Sequence, residues 1–322
     1  MNNNRYFFSN GSSSLVAISK SLNKQNKRIL IPNFICEEVI NALEKNDIKY
    51  EFYYINKNLY PDLEDIEKKN FNNYFGILIV NYFGLKPNSD SIKTLKRNKK
   101  IYMIEDNCHG MNINNNLEDN FDASFDSPRK YFGDLQSGSN LITRKNIILD
   151  DAKFKKLNSN YIHWFFLYFK VKIKFFLKEY FNIRIHNPIK NNKKDFQIYL
   201  GDRFSEFNFK RKDKKKIQKI RYKNFNKWHE IFSEKLKINL IEISKFEFES
   251  NFLWFYPLRI NKEIQNKVED VLNDQKINFI NWPKFPKNTE LVKIKKDWDN
   301  LLCLPLDRVP DIKILELFEK NE

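Results

Sequence analysis

The sequence predicts an α/β protein: a large domain built on a mostly parallel β-sheet, followed by a smaller α+β C-terminal domain. Short continuous apolar runs, such as Arg28-Ile29-Leu30-Ile31-Pro32 and YFGILIVNY at residues 74–82, alternate with segments of helical periodicity. That alternation is expected of strands buried on both faces by crossover helices. Past residue 150 the pattern changes to aromatic and basic stretches with shorter strands. The boundaries this implies are a large domain over 1–150, a helical aromatic-basic linking region over 151–205, and a small domain over 206–322.

Taken in order, Leu15, Ile18 and Leu22 stand at helical spacing within 12–24, and 28–32 is a strand ended by proline. A helix over 35–46, a strand over 50–55 and a helix over 62–69 follow. The run 74–82 is a second buried strand, 88–97 a helix, and 100–104 a third strand. Residues 160–182 (NYIHWFFLYFKVKIKFFLKEYFN) are strongly aromatic and basic with a helical pattern, and 187–194 is a polar loop. A long charged helix is expected over 205–235, with Ile217, Ile220, Phe225 and Trp228 on its inner side. Strands are expected at 238–243, 252–260 and 277–281, with helices at 262–274 and from 310 onward.

The composition is that of a globular protein: 322 residues, 41% hydrophobic and 30% charged, with 30 Phe and 15 Tyr supplying bulk. The first residues, Met1-Asn2-Asn3-Asn4-Arg5, lack the apolar run of a signal peptide. No stretch reaches the length of an uncharged membrane span. Cys36, Cys108 and Cys303 are scattered and without CxxC spacing, which fits a reducing cytoplasm. The net charge of +16 comes from 57 basic against 41 acidic residues, and the two signs are mixed along most of the chain. A solvated basic surface accounts for it, with the concentrated segment KRKDKKKIQKIRYK at 210–223 as the exception.

Chemistry is concentrated between residues 104 and 130. The apolar run ending at Ile104 leads into Glu105-Asp106-Asn107-Cys108-His109-Gly110, and Ser127-Pro128-Arg129-Lys130 follows. An acid closing a buried strand needs a partner, because an unpaired buried carboxylate is costly. An acid at that place and a lysine on a small-residue turn are the two groups that pyridoxal 5′-phosphate (PLP) requires at opposite ends of its ring. The carboxylate keeps the pyridine nitrogen protonated, and the amine joins the aldehyde as a Schiff base. Ser127, three residues before Lys130, can reach the cofactor phosphate. Asn10-Gly11-Ser12-Ser13-Ser14 places a glycine and three hydroxyls at a helix start, where free N–H groups and the helix dipole favour phosphate. An ordinary serine cap would explain those residues by themselves. Asp106, Cys108 and His109 have no second ligand cluster to complete a metal site, so no metal is expected.

Across nearly its whole length the chain resembles the DegT-type nucleotide-sugar aminotransferases, PLP enzymes of fold type I. The resemblance is carried by Ser9-Asn10-Gly11-Ser12-Ser13-Ser14-Leu15, Ile31-Pro32-Asn33-Phe34-Ile35-Cys36, Tyr82-Phe83-Gly84, Ile104-Glu105-Asp106-Asn107-Cys108-His109 and Ser127-Pro128-Arg129-Lys130. Looser matches follow at Arg221-Tyr222-Lys223-Asn224, Tyr256-Pro257-Leu258, Asn281-Trp282-Pro283 and Leu302-Cys303-Leu304-Pro305-Leu306. The resemblance implies Lys130 as the Schiff-base lysine and Asp106 as partner of the pyridine nitrogen. It places His109 beside the ring and its 3-hydroxyl, and Ser12, Ser13 and Ser127 at the phosphate. Cys36 falls where many members carry an aromatic that stacks on the ring. The chain also departs from the family in beginning almost at the Gly-Ser turn, in reading Gly138-Ser139 for a Gly-Gly pair, and in the stretch 160–182.

The function this implies is transfer of an amino group from an amino-acid donor, glutamate first among them, to the keto group of a nucleotide-linked sugar in surface-polysaccharide biosynthesis. The enzyme would be a cytoplasmic homodimer with no nucleic-acid partner. Two other functions fit parts of the sequence. A catalytically inactive PLP-fold protein would act as a binding or regulatory partner, which the changed Cys36 and Gly138-Ser139 favour. A nucleic-acid or anionic-surface binder would use the basic segment 210–223 and the aromatic stretch 160–182.

Overall fold

The computed structural model describes residues 3–23, 25–87, 89–98, 101–113, 116–132, 135–150, 153–156, 169, 198–241, 243, 252–282 and 301–307. Of the expectations above, the stretch 160–182 apart from Phe169, the loop 187–194, Pro283 and the helix from 310 lie outside the described residues.

The apolar runs form one large sheet. Its strands in chain order are β1 (Asn4–Phe8), β2 (Arg28–Pro32), β3 (Tyr50–Tyr53), β4 (Tyr74–Val80), β5 (Tyr102–Asn107), β6 (Ala123–Asp126), β7 (Ser139–Thr143), β8 (Lys155–Lys156) and β9 (Tyr199–Leu200). They lie side by side in the order β3-β2-β4-β5-β6-β7-β1-β9-β8. From β3 through β6 every neighbouring pair is parallel; β7 and β1 then join antiparallel. All seven residues of β4 are buried, as a central parallel strand requires. Successive side chains leave opposite faces. Leu78 and Val80 accordingly join the core cluster that holds Leu15 and Val16 of helix α1 (Gly11–Leu22) and Val39 and Ile40 of α2 (Glu37–Glu44). Ile77 and Ile79 face the other cluster with Ile66 of α3 (Leu63–Glu67) and Ile92 and Leu95 of α4 (Ser89–Asn98). Helices thus cover both faces, and the parallel strands end together on one edge.

The C-terminal part is α+β, as expected. Strands β10 (Phe255–Arg259), β11 (Ile280–Asn281) and β12 (Leu301–Pro305) form an antiparallel sheet in the order β10-β12-β11. The helix Lys214–His229 packs on it through Phe225 and Trp228, and the Trp228 indole N–H donates to the Pro305 carbonyl at 2.9 Å. Among the described residues no helix is long and apolar enough to cross a membrane.

Three details differ from the sequence prediction. The helix expected over 205–235 is two, Arg203–Lys210 and Lys214–His229, followed by a π turn at Glu230–Lys235. Asp213 causes the break: its carboxylate accepts the Lys216 N–H at 3.0 Å and starts a new helix as an N-cap. Of the strand expected at 238–243, the described residues contain none. The Asn239 side chain occupies the Tyr256 hydroxyl, the Pro257 carbonyl and the Arg259 N–H, groups a pairing strand would need. Strands β1, β6, β7, β8, β9 and β12 were not anticipated. β6 is the four residues Ala-Ser-Phe-Asp, too short and too polar to show as an apolar run.

Candidate active site

The edge where the parallel strands end is where open α/β sheets bind ligands. Asp106 is the penultimate residue of β5, between β4 and β6 in the middle of the sheet. Its carboxyl is buried, and Oδ1 accepts the Cys108 main-chain N–H at 2.9 Å. Burial pushes its pKa above the usual carboxylate range, while the Cys108 hydrogen bonds and the Lys130 charge pull it back down. A cationic N–H donor in the cavity would complete that compensation.

Helix α1 begins beside this acid. Asn10 caps it by accepting the Ser13 N–H at 2.8 Å, and the Ser14 N–H goes to the Asn10 carbonyl at 3.2 Å. Gly11 and Ser12 are then the residues whose N–H groups point out of the helix start. Gly11 is required by proximity: a Cβ there would lie 2.4 Å from Cys108 Sγ. Ser14 Oγ donates to Ser139 Oγ at 2.8 Å, so Ser139 in the changed Gly138-Ser139 pair fastens β7 to this helix.

After β6 the chain makes a single 3-10 turn, Pro128–Lys130, in which the Lys130 N–H returns to the Ser127 carbonyl at 3.1 Å. Lys130 is exposed, and its Nζ lies 4.6 Å from the centre of the Trp254 ring. His109, two residues past β5, is buried against Trp254 and Trp282, with ring centroids 4.1 and 4.4 Å away. Burial first, and the Lys130 charge second, hold its pKa well below the usual imidazole range, so it is neutral. The Phe83 N–H donates to its Nδ1 at 3.4 Å, which leaves Nε2 to carry the proton.

These elements line a small cleft, open at its mouth. Ser12, Cys36, Asp106, His109, Ser127 and Lys130, six of the residues singled out from the sequence, all line it. Ser13, the seventh, is buried in the helix cap, its hydroxyl 3.1 Å from that of Ser9. Burial raises the Cys36 thiol above its ordinary range, which makes it a neutral wall residue. Arg129 also lines the cleft and brings a second cation next to Ser12 and Ser127.

The aromatic wall from the small domain was not visible in the sequence. Trp282 was noted only as part of a loose motif, and Trp254 not at all; nothing in the run Phe252-Leu253-Trp254-Phe255-Tyr256 marks it. Its position comes from long-range contacts. Arg221 donates to the carbonyls of Leu253 and Trp254, and the Trp254 N–H donates to the Phe83 carbonyl at 3.0 Å. Gly84 permits the approach: it has φ +86°, and a Cβ there would collide with the carbonyl oxygens of Phe252 and His109.

The donor set fits PLP. Backbone N–H groups, two hydroxyls and a guanidinium suit a phosphate, a buried carboxyl suits a pyridinium, and the lysine can reach an aldehyde in the same cleft.

No family model matches the chain, and no curated protein sequence matches it. Solved structures do. The pseudoaminic-acid biosynthesis aminotransferase PseC of Helicobacter pylori superposes with a TM-score of 0.64 at 13% identity, covering 98% of this chain and 87% of that one. The sugar aminotransferase CalS13 of Micromonospora echinospora gives 0.62 at 13% identity over 99% and 87%. A DegT DnrJ EryC1 StrS aminotransferase of Brucella abortus gives 0.61 at 11% over 98% and 85%. At such identities the likeness is one of architecture, and it extends over most of both chains: this protein has the α/β fold of these aminotransferases.

Proposed function

We propose that this protein is a PLP-dependent aminotransferase that moves an amino group from an amino-acid donor to the keto group of a nucleotide-linked sugar. The observation that supports it most is the meeting, in one cleft, of the Gly11-Ser12 helix start, the buried Asp106 and Lys130. When bound, the cofactor supplies an electron sink for the α-carbon of the donor. Gly11 and Ser12 N–H groups, with the Ser12 and Ser127 hydroxyls, would hold its phosphate. Asp106 would keep its pyridine nitrogen protonated, and neutral His109 would offer its Nε2–H to the ring. Lys130 would hold its aldehyde end and serve as general base for the proton. Arg129 and the basic surface suit the diphosphate of a nucleotide sugar. We further assign glutamate as donor, a cytoplasmic homodimer as the working form, and surface-polysaccharide synthesis as the setting.

A binding protein that keeps PLP without turnover is the second reading, favoured by Cys36, which lines the cleft where a stacking ring is expected. The nucleic-acid reading is weakened by Arg221, which is turned inward onto two carbonyls.

The deciding experiment is the visible spectrum of the purified protein with PLP, before and after borohydride, for wild type and Lys130→Ala. An absorbing adduct trapped on Lys130 is expected, absent in the variant. A folded protein with no such adduct refutes the aminotransferase. Conversion of the bound cofactor by L-glutamate in a single turnover separates the enzyme from the inactive binder.

A further inference from the structure

The Schiff-base lysine stands on an exposed turn, and a lysine side chain loses considerable rotamer freedom when it is held in one place. One side chain behind the cleft wall holds it. The Lys130 Nζ lies over the Trp254 ring at 4.6 Å, within range of a cation–π contact. Trp254 is itself over-determined. It is 9% exposed, its ring packs on His109 at 4.1 Å and stacks parallel to Phe83 at 15°, and its backbone is fixed by Arg221 and Phe83. A rigid ring next to a flexible cation is a means of placing the cation.

Resting on the PLP reading, we propose that Trp254 is a positioning residue for Lys130, its indole face keeping the lysine nitrogen at the cleft where an aldehyde is to be captured. In that capture the Lys130 ammonium would first give one proton to solvent; the lone pair so freed would add to the aldehyde carbon, and the carbonyl oxygen would leave as water with the two remaining amine protons. The C=N bond that forms requires no oxidant or reductant. Its nitrogen carries positive charge when protonated and is held in one place, so it keeps over the ring a contact that the free, mobile side chain gives up to solvent, and the ring favours the joined state. Trp254 thereby lets the small domain act on a reaction whose other groups all come from the large sheet.

The test compares two ligands on the full-length protein. PLP can join Lys130, whereas pyridoxine 5′-phosphate has an alcohol in place of the aldehyde and can only dock. Trp254→Leu is expected to weaken PLP roughly three- to tenfold, the range for a cation over an indole, and to leave pyridoxine phosphate within about twofold. Trp254→Phe, which keeps a ring, restores most of the loss. In a Lys130→Ala background, Trp254→Leu changes neither affinity. Equal weakening of both ligands would make Trp254 mere packing and overturn the proposal, as would unchanged PLP binding in Trp254→Leu. If the wild type takes up neither ligand, the PLP reading itself fails. If it takes up both equally well, the docking site stands and the role of Lys130 fails, taking that of Trp254 with it.

Discussion

Two buried aspartates close neighbouring strands of the same sheet, and they differ in what they face. Asp106 in β5 and Asp126 in β6 are one register step apart, Asp106 pairing with Phe125 and Asn107 with Asp126. Each is followed by a turn, and burial raises the pKa of each. Asp106 lines the cleft beside Lys130. Asp126 instead turns to the protein: Oδ1 accepts both N–H groups of Asn140, at 3.0 and 2.8 Å, and Oδ2 is buried without a well-formed hydrogen bond. The same residue type at the same kind of place thus faces the cleft in one strand and is a packed polar group in the next. The direction of the side chain decides, and alternation along a strand sets that direction.

The strongest way to break this contrast is to make the same substitution at both positions. Asp106→Asn keeps the shape and removes the charge that a pyridinium needs. The expected result is a loss of ~10³-fold in single-turnover rate with L-glutamate, the scale of removing one aimed electrostatic group from an active site. PLP uptake should survive, because Gly11, Ser12 and Ser127, the residues proposed for the phosphate, are untouched. Turnover within tenfold of wild type would deny Asp106 its role and erase the distinction from Asp126.

A smaller effect tests how the end of β5 supports the cleft. Cys108 Sγ at the end of β5 sits where a Cβ on Gly11 would be, 2.4 Å away, while the next nearest atoms belong to Phe125 at 3.5 Å or more. Gly11→Ala should therefore cost about 2 kcal/mol in denaturant unfolding, typical of an overpacked core, and weaken PLP by displacing the helix start. In Cys108→Ala the space exists, and Gly11→Ala should there be nearly free. A coupling below about 0.5 kcal/mol between the two sites would mean that the helix start does not rest on the β5 end.

How much of this was legible in the sequence follows from the range of the interactions. Ser12 and Asp106 are legible because one opens a helix and the other closes an apolar strand, and Ser127 and Lys130 because they stand three residues apart on a small-residue turn, features written in a few consecutive residues. The parallel core was equally plain in the run 74–82. Trp254 and Arg221 were not, because their importance lies in contacts 32 or more residues apart along the chain, such as Arg221 on the Leu253 carbonyl. Ser13 reads as a phosphate ligand because hydroxyls at a helix start suit an anion; in the structure Asn10 accepts its main-chain N–H and its hydroxyl lies 3.1 Å from that of Ser9. Asp126 went unnoticed for a related reason. Its strand is four residues long, and its partner Asn140 lies 14 residues ahead on another strand.

The mildest prediction concerns Asp126 itself and depends on pH. Burial raises its pKa from an ordinary 3.8 to about 6, with the Asn140 N–H groups, the Asn112 main chain and the Lys214 ammonium drawing it back only part of the way. A carboxyl raised in the folded state binds its proton more tightly there than in the unfolded chain. The stability it confers is fully present below pH 3.8 and is lost as pH rises through about 6. About two pKa units correspond to ~3 kcal/mol between the acid and neutral limits. Asp126→Asn removes that dependence, since its amide oxygen can still accept from Asn140 and carries no charge. Its NH2 must then be buried where Oδ2 was, at a cost of about 1–3 kcal/mol. The net expectation is a variant about 1 kcal/mol more stable than wild type at pH 7.5 and less stable than it at pH 4. Urea unfolding of both proteins from pH 4 to 8 measures this. A difference that stays constant with pH would show that Asp126 is ionised in the folded protein at no cost, and that the two aspartates differ less than their surroundings indicate.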